Sequence, residues 1–279
     1  DFLNEHVIND KWNKNADYFF NVCYFGDAVR FIESLGISPE KTIIRLHHDY
    51  RYLIHDKSFG RFLEKSNRII FPQRKQLNCY IKSSTRPIKA IVMPFCVDVE
   101  SAAKYNARSS EKTKDLLLAV NKHPARNYWM TMLVINLLRL SGYRVENCQG
   151  LGKDTLYEKM SKAKYFFLTS LTEASGSRVM LEAIFCGAYP VYLAECESAN
   201  ELIEDCEIGT AVRSGAMLIM PENRVKRKLF YVINVYMQLM RILSKYPEKI
   251  NEEKMSILSE NYNIDKENDR LVAIFRKTA

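Results

Sequence analysis

Within the stretch "SLTEASGSRVMLEAIFCGAYPVYL", Ser170 to Leu193, two carboxylates and a guanidinium stand close together: Glu173, Arg178 and Glu182. Carboxylates accept hydrogen bonds, so acids at the end of a strand are placed to touch a ligand there. The residues between Glu173 and Arg178 are Ala174, Ser175, Gly176 and Ser177. A loop this small lets an anionic group approach the backbone. A helix opening just after it aims free N–H groups at that anion. Gly176, Ser177 and Arg178 are therefore candidate phosphate contacts. Two plainer readings compete. Tight turns also favour Gly and Ser. Arg178 and Glu182 also have the i, i+4 spacing of an exposed helical ion pair, worth about 0.3–0.5 kcal/mol. Neither accounts for acids on both sides of a small-residue loop.

A second set of charged residues follows the apolar run "DLLLAV" (115–120). Lys122 and Arg126 come just after it. Fixed cations there would stabilise negative charge on a bound anion, and an ordinary solvated basic loop is the alternative. "HHDY" (47–50) ends another apolar run. His48 is a candidate ligand contact, with Asp49 orienting it, or it is simply a packed histidine at a strand end. The acidic run "VDVE" (97–100) falls where the chain reads as a linker and is not taken as a metal motif. No His, Cys and Asp cluster has zinc spacing, so no metal ligand is assigned.

These residues need elements to position them. "DLLLAV", "YRVENC", "KYFFLT" and "YPVYLA" have strand length and character. "ARNYWMTMLVINLLRLSG" (125–142) has helical length, with Gly142 as its C-cap. "DTLYEKMSKA" (154–163) reads as a helix capped by Asp154. "SANELIED" opens with a Ser198–Glu201 capping box. Strand and helix alternating at this spacing imply right-handed βαβ units and a parallel sheet. The first part repeats the rhythm: strands "DYFFNVCYF", "KTIIRLHH", "NRIIF" and "IKAIVMPF" alternate with "GDAVRFIESLG", "FGRFLEKS" and "PQRKQLNCYIKS". The polar segment 98–114 reads as a linker. The tail from Glu222 is helical, in three stretches broken near Pro247 and Tyr262. The fold class expected is α/β with two Rossmann-like domains: residues 1–100, a linker at 101–114, a ligand-binding domain at 115–260, and a C-terminal helix at 261–279. Open parallel sheets bind ligands at the carboxyl ends of their strands. The loop after "KYFFLT" and the loop after "DLLLAV" are both such places.

With those residues in view, the sequence resembles the retaining glycosyltransferases of group 1, the glycogen-synthase-like or family-four type with GT-B architecture. Ser170, Glu173, Gly176, Leu181-Glu182-Ala183, Cys186-Gly187 and Pro190 carry the resemblance. It extends with less specificity over about residues 18 to 275. Eight residues, Ala174 to Leu181, separate the two glutamates, where the family has one fewer. The basic loop carries Lys122 and Arg126 where the family has Arg then Lys. The family's first strand with its Gly-rich loop has no counterpart, so the resemblance implies a shortened amino-terminal domain.

The resemblance also implies an activity: metal-independent transfer of a sugar from a UDP-, GDP- or ADP-linked donor, with retention of configuration, to a glycan, lipid or protein acceptor. Glu182 would hold the ribose, Glu173 the donor sugar, and the donor would be a substrate with no separate cofactor. A relic of such a fold that binds glycan or protein without catalysis is the alternative. A nucleic-acid binder, or a transferase acting on nucleic acid, is a further one.

Composition bounds these readings. The chain has 279 residues, 47% of them hydrophobic, with a net charge of +8. That charge suits an anionic partner (nucleotide, lipid headgroup or nucleic acid) or equally a generally basic solvated surface. No apolar run reaches the roughly 18 residues of a membrane span. The basic stretch "RVKRKLFYVINVYMQLMR" starts an amphipathic helix that suits contact with anionic lipid or nucleic acid, or a solvated end on an otherwise buried helix. The seven cysteines show no C-x-x-C pair and read as reduced core residues of a cytoplasmic chain, possible peripheral contact with a membrane's inner face aside. "DFLNEHVINDKWNKN" has no apolar core, so no signal peptide is expected. A start at Asp1 suggests a cut or processed front end.

Overall fold

The computed structural model describes residues 19–23, 32, 34–46, 57–83, 89–108, 111–120, 122, 128–170, 178–215, 224–247 and 249–276. Two compact units are drawn mainly from Asp1–Met93 and Pro94–Arg276. In the first, strands β1 (Phe19–Cys23), β2 (Thr42–Leu46), β3 (Arg68–Phe71) and β4 (Ala90–Val92) form a parallel sheet in sequence order. Helices α1 (Lys57–Lys65) and α2 (Arg74–Ser83) lie between successive strands. Ile44, Leu46, Phe62, Leu63, Ile69 and Phe71 build its core.

The second unit opens with helix α3 (Val99–Arg108). It continues with β5 (Lys114–Leu118), α4 (Tyr128–Leu140), β6 (Val145–Asn147), α5 (Lys153–Ser161), β7 (Ala163–Leu168) and α6 (Arg178–Phe185). Then come β8 (Tyr189–Leu193), α7 (Glu197–Cys206), β9 (Thr210–Val212), α8 (Arg224–Leu243), α9 (Glu252–Tyr262) and α10 (Ile264–Arg276). Its five strands are parallel, in the order β6-β5-β7-β8-β9. This is a doubly wound sheet whose winding reverses between β5 and β7. Right-handed crossovers put helices on opposite faces when the direction reverses. Accordingly α4 and α8 pack on one face, while α3, α5, α6, α7 and α9 pack on the other. The strand sequences follow from this. In β7, Phe166 and Leu168 enter one core while Tyr165 and Phe167 enter the other, so the strand reads as a continuous apolar run.

Helix ends show where glycine is required. The α6 terminus has a Schellman closure: Ala188 N–H donates to the Ala183 carbonyl and Gly187 N–H to the Ile184 carbonyl, both at 2.9 Å. Gly187 holds φ at +87°, and a Cβ there would meet Asn106 Oδ1 at 2.2 Å. Gly142 closes α4 the same way at φ +88°, as the sequence suggests. At this amino edge of the sheet, the Lys112 ammonium donates to the carbonyls of Ser161 (2.8 Å) and Gly187 (2.9 Å), joining the ends of α5 and α6. Burial holds its pKa below the ordinary lysine value.

Three local expectations change. The segment read as a linker contains α3, which packs Ala102 and Tyr105 into the second unit's core. Asp98, within "VDVE", serves as its N-cap, accepting from Ser101 N–H at 2.9 Å. Helix α5 starts at Lys153 with Gly152 before it and no side-chain cap, so Asp154 sits in the first turn and accepts from Tyr105 Oη at 3.0 Å instead. Helix α7 starts at Glu197, so Ser198 falls inside its first turn and not at the position before it.

Candidate functional site

Where the winding reverses, the chain leaving β5 and the chain leaving β7 depart side by side, since Leu118 pairs with Phe167. A parallel sheet opens a crevice at this point. Both charged segments singled out in the sequence begin there. Lys122, two residues beyond the buried Val120, is exposed. Thr169 and Ser170 end the β7 side, both buried. Glu182 and Arg178 stand on α6. Arg126, Glu173, Gly176, Ser177 and His48 lie outside the described residues.

Hydrogen bonds fix the strand ends that carry these loops. Asn147, at the end of β6, accepts from Val120 N–H at 3.1 Å and donates its own amide to the Val120 carbonyl at 3.0 Å. The approach to Lys122 is thereby tied to the neighbouring strand. On the far side, the Glu195 carboxylate accepts from Ser214 N–H at 2.8 Å and from its hydroxyl at 2.6 Å, joining the ends of β8 and β9. The Thr169 hydroxyl is buried with no hydrogen-bond partner. Such a group costs about 1–3 kcal/mol until it is satisfied.

Glu182 does not form the exposed ion pair with Arg178 that their spacing allows. It turns inward, where the Tyr157 hydroxyl of α5 donates to Oε1 at 3.2 Å. Tyr157 is itself buried. Its ring meets Tyr105 edge-on at 5.8 Å, with the Lys153 ammonium 5.5 Å from its centroid. Lys153 pairs with Asp98 at 3.0 Å. Burial pushes the Glu182 pKa above the ordinary glutamate value, against the opposing effects of the Tyr157 hydrogen bond and the Arg178 and Lys153 charges. Burial, with Glu182 beside it, likewise raises the Tyr157 pKa. A half-buried carboxylate with one donor keeps most of its acceptor capacity. That capacity suits a vicinal pair of hydroxyls.

Tyr157 and Asn147 could not be singled out from sequence. Tyr157 occupies a buried helical position like any core aromatic, and its partner lies 25 residues away on another helix. The thiols of Cys148 and Cys186 are pushed up to about 12 by burial, so they are inert packing groups. Among the described residues, no group of three or more His, Cys, Asp and Glu side chains lies close enough to hold a metal ion.

This architecture, α/β with parallel Rossmann-like sheets, is that of the GT-B glycosyltransferase structures. Sucrose-phosphate synthase from Thermosynechococcus elongatus has a TM-score of 0.66 at 12% identity, covering 99% of this chain and 76% of that one. A trehalose-6-phosphate synthase studied for glycosyltransfer with retention has a TM-score of 0.62 at 11% identity, covering 94% and 74%. The Anabaena protein HepE in complex with UDP has a TM-score of 0.61 at 13% identity, covering 93% and 79%. No protein-family model matches the sequence, and no curated protein matches it. At these identities the likeness is one of fold.

Proposed function

We propose that this chain is a glycosyltransferase that takes a sugar from a nucleotide-sugar donor held at the winding reversal of its second unit. The observation that carries the reading is the coincidence, at one pair of strand ends, of a basic loop start and a helix whose inward carboxylate, Glu182, retains acceptor capacity. HepE binding UDP, and the other transferases of this fold, support it. In this reading Glu182 accepts from both ribose hydroxyls, held in place by Tyr157, and Glu173 accepts from the donor sugar. The diphosphate lies against the backbone of Gly176 and Ser177 and the first turn of α6, with Arg178 adding attraction. Lys122 and Arg126 take up the charge that develops on the leaving phosphate as the glycosidic bond breaks. His48 contacts the acceptor or the donor sugar phosphate.

We assign retention of configuration. The departing phosphate oxygen takes the acceptor's proton on the face where the new bond forms, so no protein base is needed. The donor is UDP-, GDP- or ADP-linked, and the acceptor is a glycan, lipid or protein. No metal takes part, since the cations are supplied by side chains. Saturation-transfer NMR on the full chain with UDP-, GDP- and ADP-linked sugars tests the reading. Contact with at least one of them is expected, and contact with none would remove it. Transfer should persist in excess EDTA; full loss restored by Mn²⁺ would overturn the metal-free assignment.

A further inference from the structure

The two helices on the α4/α8 face leave a large part of their surface uncovered. On α4, Trp129, Leu133, Leu137 and Leu140 recur at helical spacing on the side away from the core, with Trp129 73% and Leu140 85% exposed. On α8, Phe230, Ile233 and Met237 form a second exposed row, 42%, 48% and 50% exposed. The helices pack side by side, with the Ser141 and Tyr236 hydroxyls 2.7 Å apart and those of Thr131 and Tyr231 at 3.5 Å. Apolar surface of this extent on adjacent helices marks a contact face.

Charge identifies what it contacts. Neither helix contains an Asp or Glu. Helix α8 opens with Arg224, Lys226, Arg227 and Lys228 and carries Arg241 further on. An apolar stripe on two helices whose sequences hold basic residues and no acid, with Lys228 exposed and a tryptophan beside a tyrosine at one end, matches the boundary of an anionic bilayer. Aliphatic side chains enter the acyl region, indole rings sit at headgroup level, and cations meet lipid phosphates. A protein partner or a second copy would need acids opposite the basic cluster, and a nucleic acid has no use for the aliphatic row. We propose that the α4/α8 face docks on an anionic lipid surface, holding the protein peripherally at a membrane. Among the described residues no helix is long and apolar enough to cross one, and docking by this face requires none.

The chain has two tryptophans, Trp12 and Trp129, so Trp12→Phe makes Trp129 the sole reporter. Its fluorescence is recorded with phosphatidylcholine vesicles, with and without about one third phosphatidylglycerol. A blue shift with the anionic vesicles only is expected. Partitioning should weaken about tenfold in Leu140→Ser and about fivefold or more in Lys228→Glu. Both positions are exposed, and unchanged circular dichroism confirms folding. Absence of a shift, an equal shift with neutral vesicles, or unchanged partitioning in both variants would overturn the proposal. So would a shift that grows with protein concentration without lipid, which marks a second copy, or one produced by duplex DNA and not by vesicles.

Discussion

Glu182 carries opposing consequences for stability and for binding. Its pKa is raised above the ordinary 4.5 mainly by burial. The unfolded chain ionises this group more readily than the folded one. The stability it contributes is therefore full below pH 4.5 and is lost as pH rises through the folded value. Glu182→Gln should accordingly raise the melting temperature at pH 7, with the gain closing below pH 4.5. Thermal melts of both proteins across that range check this, and a gain independent of pH would mean the carboxylate is not charged at a cost in the folded state. The residue is then kept against a stability gradient, as expected of a binding group. Glu173, Arg126 and His48 belong to the same proposal and rest on their chemistry and position in sequence.

At the scale of elements, the Lys112 contacts lie at the amino edge of the sheet and the proposed site at its carboxyl edge, so the two can be perturbed separately. Lys112→Met leaves the Ser161 and Gly187 carbonyls without their donor and should cost about 1–3 kcal/mol in denaturant unfolding. Nucleotide affinity should not change, and a parallel loss would mean the two edges are coupled. Asp115 ties three strands together, accepting from Arg144 N–H at 2.9 Å and from the Lys164 ammonium at 2.9 Å. Burial alone would raise its pKa, but these contacts and the Arg144 guanidinium hold it down to about 2. Its contribution is present above the ordinary 3.8 and lost as pH falls through about 2. Asp115→Asn should thus be less stable than the parent at pH 5, with the two converging toward pH 2. Equal stability at pH 5 would contradict the pairing. The strands were legible because a doubly covered parallel sheet needs apolar side chains on both faces, as in "KYFFLTS", and the glycine stops at Gly142 and Gly187 were legible from their position after apolar helices. Helix α3 was not, because half of its side chains are polar and it contributes only Val99 and Ala102, with Tyr105 packed partly buried against them, to the core. Tyr157 was not, because its contact with Glu182 is made by helix packing that leaves no local pattern.

At the scale of the whole molecule, the order of strands matters more than any single motif. Because β5 and β7 are neighbours while their loops lead to helices on opposite faces, two segments far apart in sequence come to one place. Both segments are legible in the sequence as following strands, but the adjacency of those strands is not, since pairing order has no local signature. The central claim is that this place binds a nucleoside diphosphate through Glu182. Calorimetry of UDP, GDP and ADP against the full chain, its Glu182→Ala variant and its Arg178→Ala variant tests it most directly. Removing a charged acceptor from two hydroxyls should weaken binding of the preferred nucleotide roughly ten- to a hundredfold. Arg178→Ala should weaken it by no more than about fivefold, because in the proposed complex the backbone N–H groups of α6 would carry most of the phosphate contact. Equal, small effects from both variants, or no binding of any of the three nucleotides, would contradict the account.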